Sequence, residues 1–197
     1  MDRVTAEMLK AEKQMTPKLL ATIFNNIWQD EQAPDEWNHD LIVKLKKKGD
    51  LGNCDNWRGI TLLSLTSKIF SRIILKRLQD ALEKDLRQEQ AGFRKGKSCI
   101  DQIFVLRQIL EQSDSSLYVN FIDYQKAFDS IYRESLWKIM RHYGIPPKIV
   151  QIIKMLYNEF DCSVVCGNTL TDPFNIRTGV KQGCILPPFS SSWPWTG

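Results

Sequence analysis

The stretch LYVNFIDYQKAFD, Leu117 to Asp129, decides the reading of this chain. Its first six residues are rich in branched and aromatic side chains and predict a β-strand over 117–122. The strand runs straight into Asp123, so an apolar element delivers a carboxylate where the chain leaves the sheet. A strand end fixes an oxygen more firmly than a loop does. Enzymes that hold two magnesium ions for phosphoryl transfer need hard oxygen ligands placed in this way. The same residue also serves as a helix cap or a surface acid, and Asp123 by itself does not choose between these.

Working outward, a polar pair lies between two glycines at Gly179-Val-Lys-Gln182-Gly183, where backbone can approach a ligand closely. An ordinary turn has the same composition. Gly92-Phe-Arg94-Lys95-Gly96-Lys97 gathers three cations and two glycines, a pattern that cradles phosphates or simply makes a basic turn. It lacks the spacing of a Walker loop. Asn56-Trp-Arg58-Gly precedes Lys68 and Arg72, which are i,i+4 neighbours on one helix face. That face suits a phosphate strand or plain solvent.

Composition bounds these readings. The 197 residues are 43% hydrophobic and 25% charged, which excludes disorder and low-complexity scaffolds. There is no apolar run long enough for a transmembrane helix and no secretion signal, so an intracellular chain, cytoplasmic or nuclear, is expected. The five cysteines have no zinc spacing and are expected as free thiols. Residues 41–108 hold 15 Lys/Arg against 7 Asp/Glu, within a chain whose net charge is +4. A basic segment of this kind fits a phosphate-rich partner or a solvated face.

Periodicity predicts helices over 4–30, 66–86, 100–112, 133–143 and 147–158. Thr16-Pro17 reads as a helix start. Strands are expected at 41–46, 117–122, 162–166 and 174–177, with a hairpin turn at Gly167-Asn168.

Five stretches in this order resemble the reverse transcriptase domain of LINE-type, non-LTR retrotransposons. They are APDEWNHDLIVKLKKKGD (33–50), NWRGITLLSLTSKIFSRIILKRL (56–78), QEQAGFRKGKSCIDQI (88–103), YVNFIDYQKAFDSI (118–131) and GVKQGCILP (179–187). The resemblance implies an α+β fold: right-hand polymerase fingers over 1–112 and a partial palm over 113–187, with helices packed on a small, mostly antiparallel sheet. It places Asp123 at the first catalytic carboxylate, a ligand of both Mg2+ ions, and makes the Tyr124 carbonyl a further ligand. Phe128 falls on the gate that excludes a ribose 2′-hydroxyl. Gln182 falls on the contact to incoming nucleotide and template base. Arg58, Lys68 and Arg72 fall near positions that meet the triphosphate and template. Arg94 and Lys97 are candidates for template-backbone contact. The implied partners are an RNA template, a DNA primer and deoxynucleoside triphosphates.

Two departures bear on activity. The family's second acidic motif, an aromatic-x-Asp-Asp hairpin, is expected after the Gln182 loop, yet no Asp-Asp pair occurs in the sequence. Residues 188–197, PFSSSWPWTG, lack helical period and make an atypical tail. The expectation is a truncated domain without activity on its own, because one carboxylate and one carbonyl do not clamp two ions. The alternative is a non-catalytic nucleic-acid-binding remnant that uses the basic fingers surface and the tryptophans Trp37 and Trp57, although Trp57 is expected to pack in the core.

Overall fold

The computed structural model describes residues 4–82, 88–92, 94, 96–113, 116–124, 126, 128–158 and 160–181. Its centre is a small mixed sheet. Strand β1 (His39–Lys46) pairs antiparallel with β2 (Trp57–Leu62), with Leu41 opposite Leu62 and Lys46 opposite Trp57. On its other side β1 pairs in parallel with β3 (Asp161–Cys166), His39 opposite Asp161. The free side of β3 is shared by two short antiparallel strands, β4 (Thr169–Leu170) and β5 (Phe174–Asn175). Gly167 makes the β3–β4 turn with a φ of 63°, as its sequence predicts. Three of the four pairings are antiparallel.

Strand β2 is not among the strands expected from the sequence. Its pairing is set by the loop before it. Lys47 N–H donates to the Asn56 carbonyl (2.8 Å), and the Asn56 amide donates to the Asp50 carbonyl (2.7 Å). Together these close the turn that brings Trp57 opposite Lys46.

Helices α1 (Ala6–Ala11) and α2 (Met15–Asp30) replace the single helix expected over 4–30. The break comes at Glu12, which is extended. No residue of α1 is buried, so packing gives it no reason to continue in line with α2. The apolar stripe starts later, and Phe24 and Ile27 of α2 are buried. Helix α3 (Leu65–Leu82) follows its predicted period, with Phe70, Ile74 and Leu78 in the core. The rest of that predicted helix, 83–86, lies outside the described residues. The Phe70 ring packs at a tilt against both Phe24 and Trp37, with ring centroids 5.3 and 5.7 Å apart.

Helix α4 (Cys99–Gln112) starts with a capping box. Ile100 N–H donates to Ser98 Oγ (3.1 Å), and Ser98 N–H donates to Asp101 Oδ2 (3.0 Å). Ser98→Ala removes one cap and is expected to cost about 1 kcal/mol in a denaturant titration. Helices α5 (Arg133–His142) and α6 (Pro147–Met155) bury Leu136, Trp137, Met140, Ile152 and Ile153. Helix α6 ends three residues before its expected end. Leu156, Tyr157 and Asn158 form a tighter turn whose N–H groups bond back three residues. Strand β5 is likewise shorter than the 174–177 expected.

The largest correction concerns 117–122. The described structure gives this segment no strand. Tyr118 is 90% exposed and Phe121 85% exposed. A strand is held by the N–H and C=O groups of a neighbour, and no described strand pairs with this segment. Among the described residues, no helix is long and apolar enough to cross a membrane.

Candidate nucleotide and nucleic-acid site

The two motifs richest in chemistry meet through their backbones. After Asp123 the chain turns at Lys126, whose φ is 53°. The N–H groups of Asp129 and Ser130 both donate to the Lys126 carbonyl, at 2.9 and 3.0 Å. Phe128, inside this turn, packs partly buried against the core. Its carbonyl accepts the Val180 N–H at 2.8 Å, and the Ile131 carbonyl accepts the Gly179 N–H at 2.9 Å. Gly179 has a φ of +76°, and a Cβ there would lie 2.7 Å from the Asp129 carbonyl oxygen. Glycine is therefore required twice, for its backbone angle and for the close approach.

Side chains reinforce the same junction. Arg133, the first residue of α5, donates from Nε to the Gly179 carbonyl (2.8 Å) and from Nη2 to the Thr178 carbonyl (3.3 Å). Its Nη1 reaches the Tyr157 carbonyl (3.3 Å). The guanidinium lies over the Tyr157 and Phe160 rings, 5.4 and 5.1 Å from their centroids. Burial pushes the Arg133 pKa below its ordinary value.

One residue beyond Val180, Lys181 Nζ is 2.7 Å from Asp40 Oδ2 on β1, with side chains 5% and 2% exposed. The ammonium also sits 4.0 Å from the Phe160 ring centroid. Burial raises the Asp40 pKa, a larger effect than the attraction of Lys181, which lowers it. The Cys162 thiol, in the same buried region, is pushed up to about 11 by burial, which suits an inert structural thiol.

Beside the junction is a cavity of about 260 Å³, lined among others by Gly59 and Thr61 of β2, Asp129, Arg133, Gly179 and Lys181. It is the meeting place of the first hairpin, the turn after Asp123 and the glycine-flanked loop. A further link is the exposed ion pair between Lys126 Nζ and Asp55 Oδ1 (2.9 Å). Hydrogen bonding from Lys126 holds the Asp55 carboxyl below the ordinary value it has in the unfolded chain. The stabilisation from Asp55 is thus present above that value and lost as pH falls through the lower folded value. Asp55→Asn is expected to lower the melting temperature slightly at neutral pH, with the difference vanishing in acid and shrinking in high salt.

The remaining expected residues lie on several elements. Asp123 is exposed, and Tyr124 is 51% exposed. Arg58 is exposed on β2; Lys68 is half-buried and Arg72 exposed on α3. Arg94 is half-buried, its Nη1 donating to the Gln90 carbonyl (3.2 Å). Lys97 is exposed after Gly96, whose φ is 75°. Gln182 lies outside the described residues.

Among the described residues, no three His, Cys, Asp or Glu side chains are placed to hold a metal ion. Asp123 and the Tyr124 carbonyl do not by themselves fit a two-ion centre. Trp37 is 6% exposed, and its Nε1 donates to Thr66 Oγ1 (3.1 Å), so it is core and not a surface for bases. Trp57 is half-buried, with its Nε1 donating to the Leu51 carbonyl (3.0 Å) and Lys44 over its ring.

Asp40, Arg133 and Lys181 are not among the site residues expected from the sequence, although Lys181 stands inside the glycine-flanked motif at 179–183. Asp40 and Arg133 gain their meaning from contacts far along the chain, which no local spacing signals.

A family model described as reverse transcriptase (RNA-dependent DNA polymerase) matches residues 45–192. A protein named probable RNA-directed DNA polymerase from transposon BS, from Drosophila melanogaster, is 32% identical over 95% of this chain and 21% of its own length. The transposon TX1 uncharacterized 149 kDa protein of Xenopus laevis is 33% identical over 83% of the chain and 13% of its own length. The retrovirus-related Pol polyprotein from the type-1 retrotransposable element R2 of Popillia japonica is 29% identical over 80% of the chain and 22% of its own length. The chain thus spans about a fifth or less of the length of these relatives.

Proposed function

We infer that this chain, which belongs to the reverse transcriptase (RNA-dependent DNA polymerase) family, carries the nucleotide and template surface of a retrotransposon polymerase. The proposed partners are an RNA template, a DNA primer and deoxynucleoside triphosphates. The proposed reaction of the whole polymerase is template-directed deoxynucleotidyl transfer. The primer 3′-hydroxyl attacks the α-phosphorus, and pyrophosphate leaves. The observation that carries this reading is the 2.8 Å bond from Val180 N–H to the Phe128 carbonyl, which joins the FIDYQKAFD and GVKQG motifs.

In this reading residues 1–112 are fingers and 113–187 palm. Their division does not coincide with a gap in the sheet, because β1 and β3 pair across it. Phe128 gates the sugar. Arg58, Lys68 and Arg72 meet the triphosphate and template, Arg94 and Lys97 meet template phosphates, and Gln182 meets the base. Magnesium is the proposed cofactor, with Asp123 and the Tyr124 carbonyl among its ligands. The described residues do not complete such a centre.

That incompleteness favours a second reading for the chain on its own: nucleic-acid binding without synthesis. Primer extension on an RNA template with magnesium is expected to show no product, from the parent chain or from Asp123→Asn. Product that disappears in Asp123→Asn would overturn that inactivity. Product unchanged in Asp123→Asn would overturn the assignment of Asp123.

Binding to the RNA–DNA primer-template, read by fluorescence anisotropy, is expected to weaken with salt. Three phosphate contacts correspond to a roughly 20- to 40-fold loss between about 50 and 200 mM salt. Removing Arg58, Lys68 and Arg72 together should flatten that dependence. Salt-independent binding would contradict the basic-surface reading.

A further inference from the structure

We propose that Arg133 is a positioning residue for the sugar gate: its guanidinium holds residues 178–180 in the one register that fixes Phe128 through the Val180–Phe128 backbone bond. This rests on the reading of Phe128 as the gate and goes beyond it, because no expected site residue includes Arg133.

A gate that separates a deoxyribose from a ribose must hold its ring to within a fraction of the size of one oxygen atom. Phe128 is on a turn, not on a ladder, so its backbone has to be fixed from outside. The outside partner is Val180, at 2.8 Å. Val180 is itself in a loop, and Arg133 spans the two carbonyls immediately before it, those of Thr178 and Gly179. The guanidinium fork presents several donors in one plane, so it sets an orientation as well as a distance. It is immobilised in turn by the Tyr157 carbonyl and by the Tyr157 and Phe160 rings. Arg133 also begins α5, two residues after Ile131, whose carbonyl holds the Gly179 N–H. The loop is thus tied on both sides of Gly179 to the segment that carries Phe128. A lysine keeps the charge but lacks the planar fork and cannot reproduce these three bonds together.

The test compares the parent chain with Arg133→Lys and Arg133→Gln, each bound to an RNA template–DNA primer. The complementary deoxynucleoside triphosphate and the matching ribonucleoside triphosphate are titrated in turn. Amide exchange of peptides covering 176–181 is followed in parallel. Ser98→Ala, which removes a cap of α4 and makes none of the junction's bonds, serves as a control for general destabilisation.

The proposal expects faster exchange in 176–181 and a several-fold fall in the deoxyribo-to-ribo affinity ratio for both Arg133 variants, with the ratio unchanged in Ser98→Ala. Faster exchange with an unchanged ratio overturns the proposal and leaves the functional reading standing. Unchanged exchange overturns it as well. Absence of nucleotide binding by the parent chain overturns the functional reading, and with it the proposal. If Arg133→Gln does not fold, the charge-preserving Arg133→Lys decides alone.

Discussion

Gly179→Ala is expected to destabilise the chain by roughly 2–5 kcal/mol. Two effects add. A non-glycine residue in a left-handed conformation costs about 1–2 kcal/mol, and the φ of Gly179 is +76°. The added methyl would also lie 2.7 Å from the Asp129 carbonyl oxygen and 2.8 Å from its Cα. Both are backbone atoms, so no side chain can swing away, and forcing a methyl into such a contact costs typically about 1–3 kcal/mol. Gly144 and Gly167 provide the comparison. Their φ values are +72° and +63°, but an added Cβ would meet nothing within 4 Å. Alanine there is expected to show the conformational cost alone. Denaturant titrations of the three variants separate the two effects. Equal losses in all three would mean that the Gly179–Asp129 approach contributes nothing.

Lys181→Met is expected to cost about 3–5 kcal/mol, the usual loss when one member of a buried ion pair is removed and the other stays. The methionine keeps much of the volume and its contact with Phe160, so the loss reports the stranded Asp40 charge. Asp40→Leu combined with Lys181→Met removes both charges and should recover most of that stability, because a well-packed apolar replacement is often neutral. A double variant as unstable as the single one would show that packing, not charge, is at stake.

The pH dependence has a definite sign. Burial raises the Asp40 pKa above the ordinary carboxylate value. The folded state therefore holds this proton more tightly than the unfolded chain. The favourable contribution is fully present below the unfolded value and is lost as pH rises through the folded value. Lys181→Met removes the attraction that opposes this rise. The variant should therefore lose more of its stability between acid and neutral pH than the parent does.

Much of this was legible in the sequence wherever the signal was local. The helical period of Phe70, Ile74 and Leu78 located α3, and Pro147 located the start of α6. The five motifs in order gave the family that the comparisons support. The strand expected at 117–122 does not form because branched and aromatic residues report a preference for extended backbone, not whether a partner is there to pair. Strand β2 was missed for the converse reason. Trp57, Arg58 and Gly59 look like a loop, and the turn bonds at Asp50 and Asn56 determine their pairing. At the site, the Phe128 and Gly179 segments were noticed separately. Their contact across some fifty residues, and the parts played by Arg133, Asp40 and Lys181, depend on tertiary packing that spacing does not encode.

The central claim is that the 126–131 turn and the 178–181 segment together form the nucleotide end of a polymerase site. Amide exchange on the chain bound to an RNA template–DNA primer, with and without the complementary deoxynucleoside triphosphate, tests it most directly. The account predicts that the nucleotide slows exchange in peptides covering both segments and leaves helix α4 unchanged. Saturating nucleotide that protects neither segment, or protects α4 equally, would contradict it.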